Sequence, residues 1–150
     1  MIGLSRWRSW AAAVLIVLVA SGCTTATPAP DAYRARTKLA VTDAISHVAT
    51  AQKVLEATRK NKILGPYALV TVRASDETLG TVVGAYLELY PPQQLDPRFT
   101  KASTLLGDAS DLVTQTRIAL YRDDRADFPG LIKDLDSLST KLERFEKELS

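Results

Sequence analysis

Three residue types in this 150-residue chain offer reactive groups, and few other side chains of the sequence could act beside them in catalysis or metal binding. Cys23 is the only cysteine and so the only thiol available for modification or nucleophilic attack. His47 is the only histidine and a candidate general base or metal ligand. Asp108 and Asp111 stand three residues apart, about one helical turn, so their carboxylates could share a helix face for acid–base chemistry or cation binding.

The composition argues against the usual cofactors of helical proteins. A di-iron bundle needs two Glu-x-x-His pairs, and zinc sites need sets of Cys or His ligands, so one histidine and one cysteine do not suffice. No EF-hand loop, nucleophile elbow or glycine-rich phosphate loop occurs in the sequence. The sequence therefore predicts no cofactor, no metal and no catalytic residue. An enzyme that uses His47 or the Asp108/Asp111 pair is a hypothesis that the sequence leaves open.

The residues before Cys23 have the three parts of a secretory signal. Arg6 and Arg8 form a positive head, and an apolar run of ten residues follows over 11–20. That run is too short for a transmembrane helix, which needs about 20 residues. Small residues ending at Gly22 complete the pattern.

The segment Ala20-Ser21-Gly22-Cys23 resembles the lipobox of bacterial lipoproteins, in which small residues precede an invariant cysteine. The resemblance covers residues 1–23 only, and Ala20 stands where leucine is usual. It implies cleavage between Gly22 and Cys23 and attachment of acyl chains, such as palmitate, to Cys23. Two or more acyl chains anchor a protein stably, whereas one binds reversibly. The alternative is a signal peptide cut elsewhere, which leaves Cys23 as a spare thiol.

The lipobox resemblance predicts three segments and a location. Residues 1–22 are the signal peptide, 23–30 are the lipidated cysteine with a Thr/Ala/Pro tether, and 31–150 form one domain. The domain faces the periplasm or the cell exterior, anchored to the cell membrane or outer membrane. Thr24, rather than aspartate, follows Cys23, and by analogy with lipoprotein sorting this favours the outer membrane of a Gram-negative cell.

Processing also changes the charge. Loss of Arg6 and Arg8 lowers the basic count from 19 to 17, which equals the 17 acidic residues, so the formal net charge falls from +2 to zero. A neutral domain does not indicate nucleic-acid binding. Trp7 and Trp10, the only tryptophans, leave with the signal peptide.

Basic residues are concentrated in the first predicted helix, where residues 31–62 hold seven basic and three acidic side chains. One block follows the tether and could contact anionic lipid headgroups: Arg34, Arg36 and Lys38. Another complements the helix dipole at the far end and could face a partner: Arg59, Lys60 and Lys62. The alternative is that both blocks pair with acidic residues inside the domain.

Cap and stop signals divide the domain into four helices, at about 31–63, 66–90, 96–122 and from 128 almost to 150. The predicted caps are Asp31, Asp96 and Asp127, and the predicted stops are Gly65-Pro66 and Pro91-Pro92. Apolar residues recur at steps of three and four in each helix, the spacing of a coiled-coil or bundle seam. The fourth helix is the clearest case: Phe128, Leu131, Leu135, Leu138, Leu142, Phe145 and Leu149.

Short connections make sequential helices antiparallel neighbours, so the sequence predicts an all-α, up-down-up-down four-helix bundle. The first helix is the longest, and its first turns are predicted to protrude toward the membrane. The alternative is a three-helix bundle with the first helix partly loose.

Glycines inside the second and third helices require an explanation, because each costs about 1 kcal/mol relative to alanine. If facing residues of these helices have numbers that sum to about 187, Gly80 faces Gly107 and Gly84 faces Ser103. Close approach of the two backbones is therefore predicted.

Two functions follow from an anchored domain without a reactive cluster. The first is a non-enzymatic binding or scaffolding module, with the membrane and an envelope protein as its partners. The alternative is a carrier that holds a small apolar or aromatic ligand between helices. Four tyrosines are the candidate contacts for that ligand: Tyr67, Tyr86, Tyr90 and Tyr121.

Overall fold

The structure, a computed structural model, describes residues 29–89 and 96–150. Within those ranges the chain forms four helices and no strand: α1 (Pro30–Arg59), α2 (Gly65–Leu87), α3 (Asp96–Arg122) and α4 (Phe128–Glu148). The predicted all-α four-helix bundle is confirmed. The predicted signal peptide, Gly22, Cys23, most of the tether and Tyr90 with Pro91-Pro92 lie outside the described residues.

Contacts between side chains show that neighbouring helices are antiparallel. On α2 and α3, Tyr86 stacks on Phe99, while Asp76, ten residues earlier, accepts a hydrogen bond from Thr114. The residue numbers of these pairs sum to 185 and 190, close to the predicted register. The same antiparallel order relates α1 to α4, through the pairs Lys38–Ser150 and Gln52–Asp136.

The diagonal pair α1 and α3 also pack directly on each other. The buried face of α1 consists largely of alanine and valine, including Ala44, Val48 and Ala51. Small side chains let helix axes approach, so α3 reaches α1 across the bundle, and Ala109 and Val113 of α3 are fully buried. Each of these two helices therefore contacts all three others.

Helix α1 packs along its whole length, from Tyr33 in its first turn to Thr58 in its last. The Tyr33 side chain is 1% exposed, so the first turn is part of the core. The prediction that the first turns of α1 protrude is therefore wrong, and the three-helix alternative is excluded.

The predicted apolar seams are confirmed. In α4 the buried residues are Phe128, Leu135, Leu138, Leu142 and Phe145, while Leu131 and Leu149 are half-buried. The apolar stripe of α3 is likewise buried, and its first member, Phe99, is half-buried: Phe99, Ala102, Leu106, Ala109, Val113, Thr116 and Leu120. Thr116 turns its hydroxyl to the carbonyl oxygen of Leu112 at 2.8 Å, which satisfies the buried oxygen within the helix.

Helix α1 ends at Arg59, four residues before the predicted position, because Asn61 adopts a left-handed conformation with φ 54°. The amide of Asn61 donates to the carbonyl of Thr58, and the amide of Lys62 donates to that of Ala57. This pair of bonds is a Schellman motif, with asparagine where glycine is commoner.

Helix α3 ends in the same way, at Arg122, because the following Asp123 adopts a left-handed conformation with φ 50°. The amide of Asp123 donates to the carbonyl of Leu120, and the amide of Asp124 donates to that of Ala119. The turns that follow α1 and α3 therefore both have a defined backbone conformation.

One predicted cap, Asp31, is wrong, and another, Asp127, is confirmed in position only. Ala29 occupies the cap position of α1, and Asp31 lies in the first turn, where its charge complements the helix dipole. Asp127 occupies the cap position of α4 but makes no capping hydrogen bond with its side chain. Both helices instead begin with a proline in the first turn, where the missing amide proton costs no helical hydrogen bond.

The glycine prediction is also wrong, although the register is close. A β-carbon built on Gly80, Gly84 or Gly107 would meet no atom of another helix within 4 Å among the described residues. The buried residues Leu79 and Val83 each precede a glycine by one position, which turns that glycine about 100° away from the core. Gly80 and Gly84 are therefore exposed on α2 and do not mediate backbone contact.

We predict that Gly80→Ala raises the free energy of unfolding by about 0.5–1 kcal/mol, because alanine restricts the unfolded chain and fits the open helical position. Urea denaturation followed by circular dichroism measures this change. The reciprocal variant Ala74→Gly, at an exposed position of the same helix, should lower the stability by a similar amount. A destabilised Gly80→Ala would restore the close-approach interpretation.

Candidate functional site

The bundle has two ends that differ in character. The proximal end is where α1 begins, and there α2 ends, α3 begins and α4 ends. The distal end is the opposite one, formed by the turns 60–64 and 123–127. Cys23 precedes the proximal end by seven residues of sequence.

An aromatic cluster closes the core at the proximal end. The ring of Tyr86 stacks on Phe99 with centroids 5.5 Å apart, and Tyr33 packs against both at 6.4 to 6.5 Å. The hydroxyls of Tyr33 and Tyr86 lie 3.1 Å apart, and Thr37 donates to the Tyr33 carbonyl oxygen at 3.0 Å. These buried hydroxyls bond to one another within the core, so the cluster has a packing role.

The predicted cations of the proximal end are exposed. Lys38 donates to the hydroxyl of Ser150 at 2.9 Å. Arg34 and Arg36 make no ion pair within the described part of the chain, so the alternative that they pair inside the bundle does not hold for them. Both remain available to an anionic surface.

A groove of about 250 Å³ runs between α1 and α2 near the proximal end. Its walls are mainly apolar, with Arg36 and Asp43 at the margin: Leu39, Ala40, Val82, Ala85, Tyr86 and Leu89. Leu39 is 63% exposed, so the groove opens to the surface.

The four tyrosines of the carrier hypothesis do not converge on one site. Tyr86 lines this groove, whereas Tyr67 and Tyr121 are exposed at the distal end. Tyr90 lies outside the described residues. Tyr67, Tyr86 and Tyr121 therefore do not line a common binding pocket.

Asp108 and Asp111 share a face of α3, as predicted, and line a polar groove of about 380 Å³ beside α4. Asp134 and Lys141 of α4 lie across this groove, and all four side chains are exposed. No cluster of acidic, His or Cys residues suited to a metal ion occurs in residues 29–89 and 96–150. The half-buried His47 lies on α1, outside this groove. The arrangement is a solvated face.

The second predicted basic block lies at the distal end. Arg59, Lys60 and Lys62 are exposed and form no ion pair within the described residues. The Schellman turn at Asn61 places Arg59 and Lys60 at the end of α1, so their charges lie beside its terminal carbonyl groups.

A hydrogen bond joins the two distal turns. Arg125 donates through Nη1 to Oδ1 of Asn61 at 2.9 Å, and through Nε to Oδ1 of Asp123 at 3.1 Å. Asn61 and Asp123 are the two left-handed residues that end α1 and α3. Arg125 therefore connects both helix ends across the distal face.

The distal end also exposes most of the large apolar side chains. Of the seven that are exposed in the described residues, five lie within about two turns of this end: Leu64, Tyr67, Val70, Ile118 and Tyr121. Leu64 is 78% exposed and Tyr121 75%. We call these five residues, with Arg59, Lys60 and Lys62, the distal surface.

Sequence reasoning identified only part of the distal surface. The three cations were predicted from their clustering, but Tyr67 and Tyr121 were assigned to a ligand pocket, and Leu64, Val70 and Ile118 were not identified. The sequence contained one sign of this exposure. Val70 and Ile118 are apolar, but they fall outside the periodic core positions of α2 and α3.

No helix of the described ranges is long and apolar enough to cross a bilayer. Comparison of the chain with protein-family models, with curated proteins and with solved structures found no match.

Proposed function

We propose that this protein is a bacterial lipoprotein, held at a membrane of the cell envelope through acylated Cys23. Its helical bundle acts as a non-enzymatic binding or scaffolding module. The anchor part of the proposal is supported by the lipobox resemblance of residues 20–23. The binding part is supported by the surface of the bundle.

The distal surface is the observation that carries the binding proposal. Exposed apolar side chains on a soluble domain are usually scattered, and a concentration of them marks an interaction site. Here five large apolar residues share one end of the bundle with three cations that form no ion pair in the part of the chain that the structure describes. Tyrosine and arginine are also residue types that contribute most to binding at protein interfaces.

The distal surface lies at the end of the bundle opposite to the start of α1, the helix that follows Cys23 in the sequence. The tether from Cys23 to Ala29 spans up to about 20 Å at 3 Å per residue. Helix α1, with 30 residues, adds about 45 Å at 1.5 Å per residue. A chain anchored at Cys23 can thus present the distal surface several tens of ångströms from the bilayer. Arg34 and Arg36 remain near the headgroups.

Several buried polar groups of the bundle serve its packing. Thr58 bonds the carbonyl oxygen of Val54 at 2.8 Å, as Thr116 bonds Leu112, and Tyr33 bonds Tyr86. Asp76 accepts hydrogen bonds from Thr114 at 2.6 Å and Arg117 at 2.7 Å, and so ties α2 to α3. These groups are used between or within helices, which favours a structural and binding role over catalysis.

We predict that a photoreactive phenylalanine analogue at Tyr121 crosslinks to a protein in intact cells, because this position lies within the proposed interface. Denaturing gel electrophoresis with an antibody to the chain detects the adduct. The matched control carries the analogue at Ser46, an exposed position halfway along α1, and should give no adduct. Equal labelling at both positions, or no labelling at Tyr121, would contradict a binding role of the distal surface.

For the anchor, we predict that Cys23→Ser abolishes acylation and moves the chain from the membrane fraction to the soluble fraction, because serine lacks the sulfur that carries the lipid. Mass spectrometry and cell fractionation measure the two effects. Ser21→Ala, which keeps a small residue in the same segment, should remain acylated and membrane-bound. Full retention of the Cys23→Ser chain on membranes would show that the anchor proposal is incorrect.

A further inference from the structure

Charge is segregated between the two turns of the distal end. The α1–α2 turn carries Arg59, Lys60 and Lys62 and no acidic residue over 59–64. The α3–α4 turn carries three aspartates over 122–127, together with Arg122 and Arg125. Since Arg125 is bound to Asp123, two carboxylates of this turn, Asp124 and Asp127, remain without an ion pair in the described residues.

The basic and the acidic turn are direct neighbours, because Arg125 of one bonds Asn61 of the other at 2.9 Å. The distal end is therefore bipolar, with a formal charge of +3 over 59–64 beside a formal charge of −1 over 122–127. A bipolar surface is complementary to itself after rotation by a two-fold axis, since the positive half then faces the negative half twice.

The acidic half contains a notch that suits a lysine side chain. This notch has a volume of about 170 Å³ and lies between the end of α3 and the start of α4. Ile118 and Leu131 supply apolar wall, and Asp124 and Asp127 supply carboxylates, with Arg122 also at the notch. A lysine buries its aliphatic stem on apolar surface while its ammonium group meets carboxylates.

Apolar side chains on the same end would be covered by such a contact. Leu64 belongs to the basic turn, Tyr67 and Val70 follow it on α2, and Tyr121 and Ile118 precede the acidic turn on α3. Both halves of the bipolar end thus have apolar residues beside their charges, as a self-complementary interface requires.

We propose that the partner of the distal surface is a second copy of this chain, joined as a two-fold symmetric dimer. Lys60 and Lys62 of each copy face Asp124 and Asp127 of the other, and the exposed apolar residues lie between the charged halves. This inference rests on the distal surface being a binding surface, as proposed above, and not on acylation of Cys23.

A purely acidic partner fits this end less well than a second copy. Such a partner would meet Lys60 and Lys62 favourably but would place its carboxylates close to Asp124 and Asp127 of the adjoining turn, which Arg125 joins to Asn61. Like charges at an interface are costly, whereas a second copy satisfies both halves.

The defined backbone conformation of the two distal turns also favours binding. Asn61 and Asp123 hold both turns in Schellman geometry, and the Arg125 bridge joins them. An interface built on fixed turns loses little conformational entropy on association.

Charge reversal tests the proposal. The protein is the mature chain, residues 23–150 with Cys23→Ser, so that neither lipid nor disulfide contributes to association. We expect a dimer by sedimentation equilibrium. The double variants Lys60→Glu/Lys62→Glu and Asp124→Lys/Asp127→Lys should each raise the dissociation constant at least about tenfold, because each sets like charges opposite one another twice. An equimolar mixture of the two variants should dimerise again, since opposite charges are restored on both sides.

The matched control is Lys141→Glu/Lys147→Glu, an equal charge change at exposed positions of α4 away from the distal end, which should leave the dimer unchanged. Circular dichroism confirms that every variant remains helical. A wild-type chain that is monomeric at about 1 mM overturns the proposal, as does a mixture of the two reversed variants that fails to associate. If the chain is monomeric while the analogue at Tyr121 crosslinks a different envelope protein, the binding function stands and the dimer does not.

Discussion

Contact between α1 and α3 across the bundle diagonal is the constraint on which the other features depend. It requires small residues on the core face of α1, and Ala44, Val48 and Ala51 meet that requirement. With α1 and α3 packed together, α2 and α4 fill the two remaining sides. The large side chains then occupy the ends, where Tyr33, Tyr86 and Phe99 close the proximal core and Phe128 is buried at the start of α4. The same packing brings both distal turns to one face.

The sequence was sufficient for the elements whose pattern is repeated many times. The seam of α4 alternates steps of three and four over 22 residues, so a single misread position cannot change its helical phase. The register of α2 and α3 also followed from the short connection between them. The glycine prediction failed for a different reason. Register determines which residues of two helices lie at the same level along the bundle, but not which way they face. Gly80 and Gly84 lie at the predicted level but are turned away from α3 by their position around the helix.

Helix ends and surface composition were harder to predict, because both depend on tertiary contacts. Asn61 and Asp123 end their helices in a left-handed conformation that glycine adopts more readily, and Asn61 is further held by its bond from Arg125. Exposure of Tyr121 and Leu64 is likewise a property of the assembled bundle, since either could have been a core residue by type. The basic block 59–62 was visible in the sequence, but its neighbourhood with apolar residues of α2 and α3 was not.

The proposed function requires that the distal surface is directed away from the membrane to which acylated Cys23 would anchor the chain. The depth of a tryptophan at Tyr121 tests it directly, because the proposed cleavage before Cys23 would remove Trp7 and Trp10 and leave the substituted residue as the only indole. The acylated Tyr121→Trp protein would be reconstituted into vesicles that contain brominated lipids. We expect its fluorescence to be quenched by aqueous iodide and unaffected by the brominated chains. Quenching by the brominated lipids, with protection from iodide, would place the distal surface in the bilayer and contradict the account.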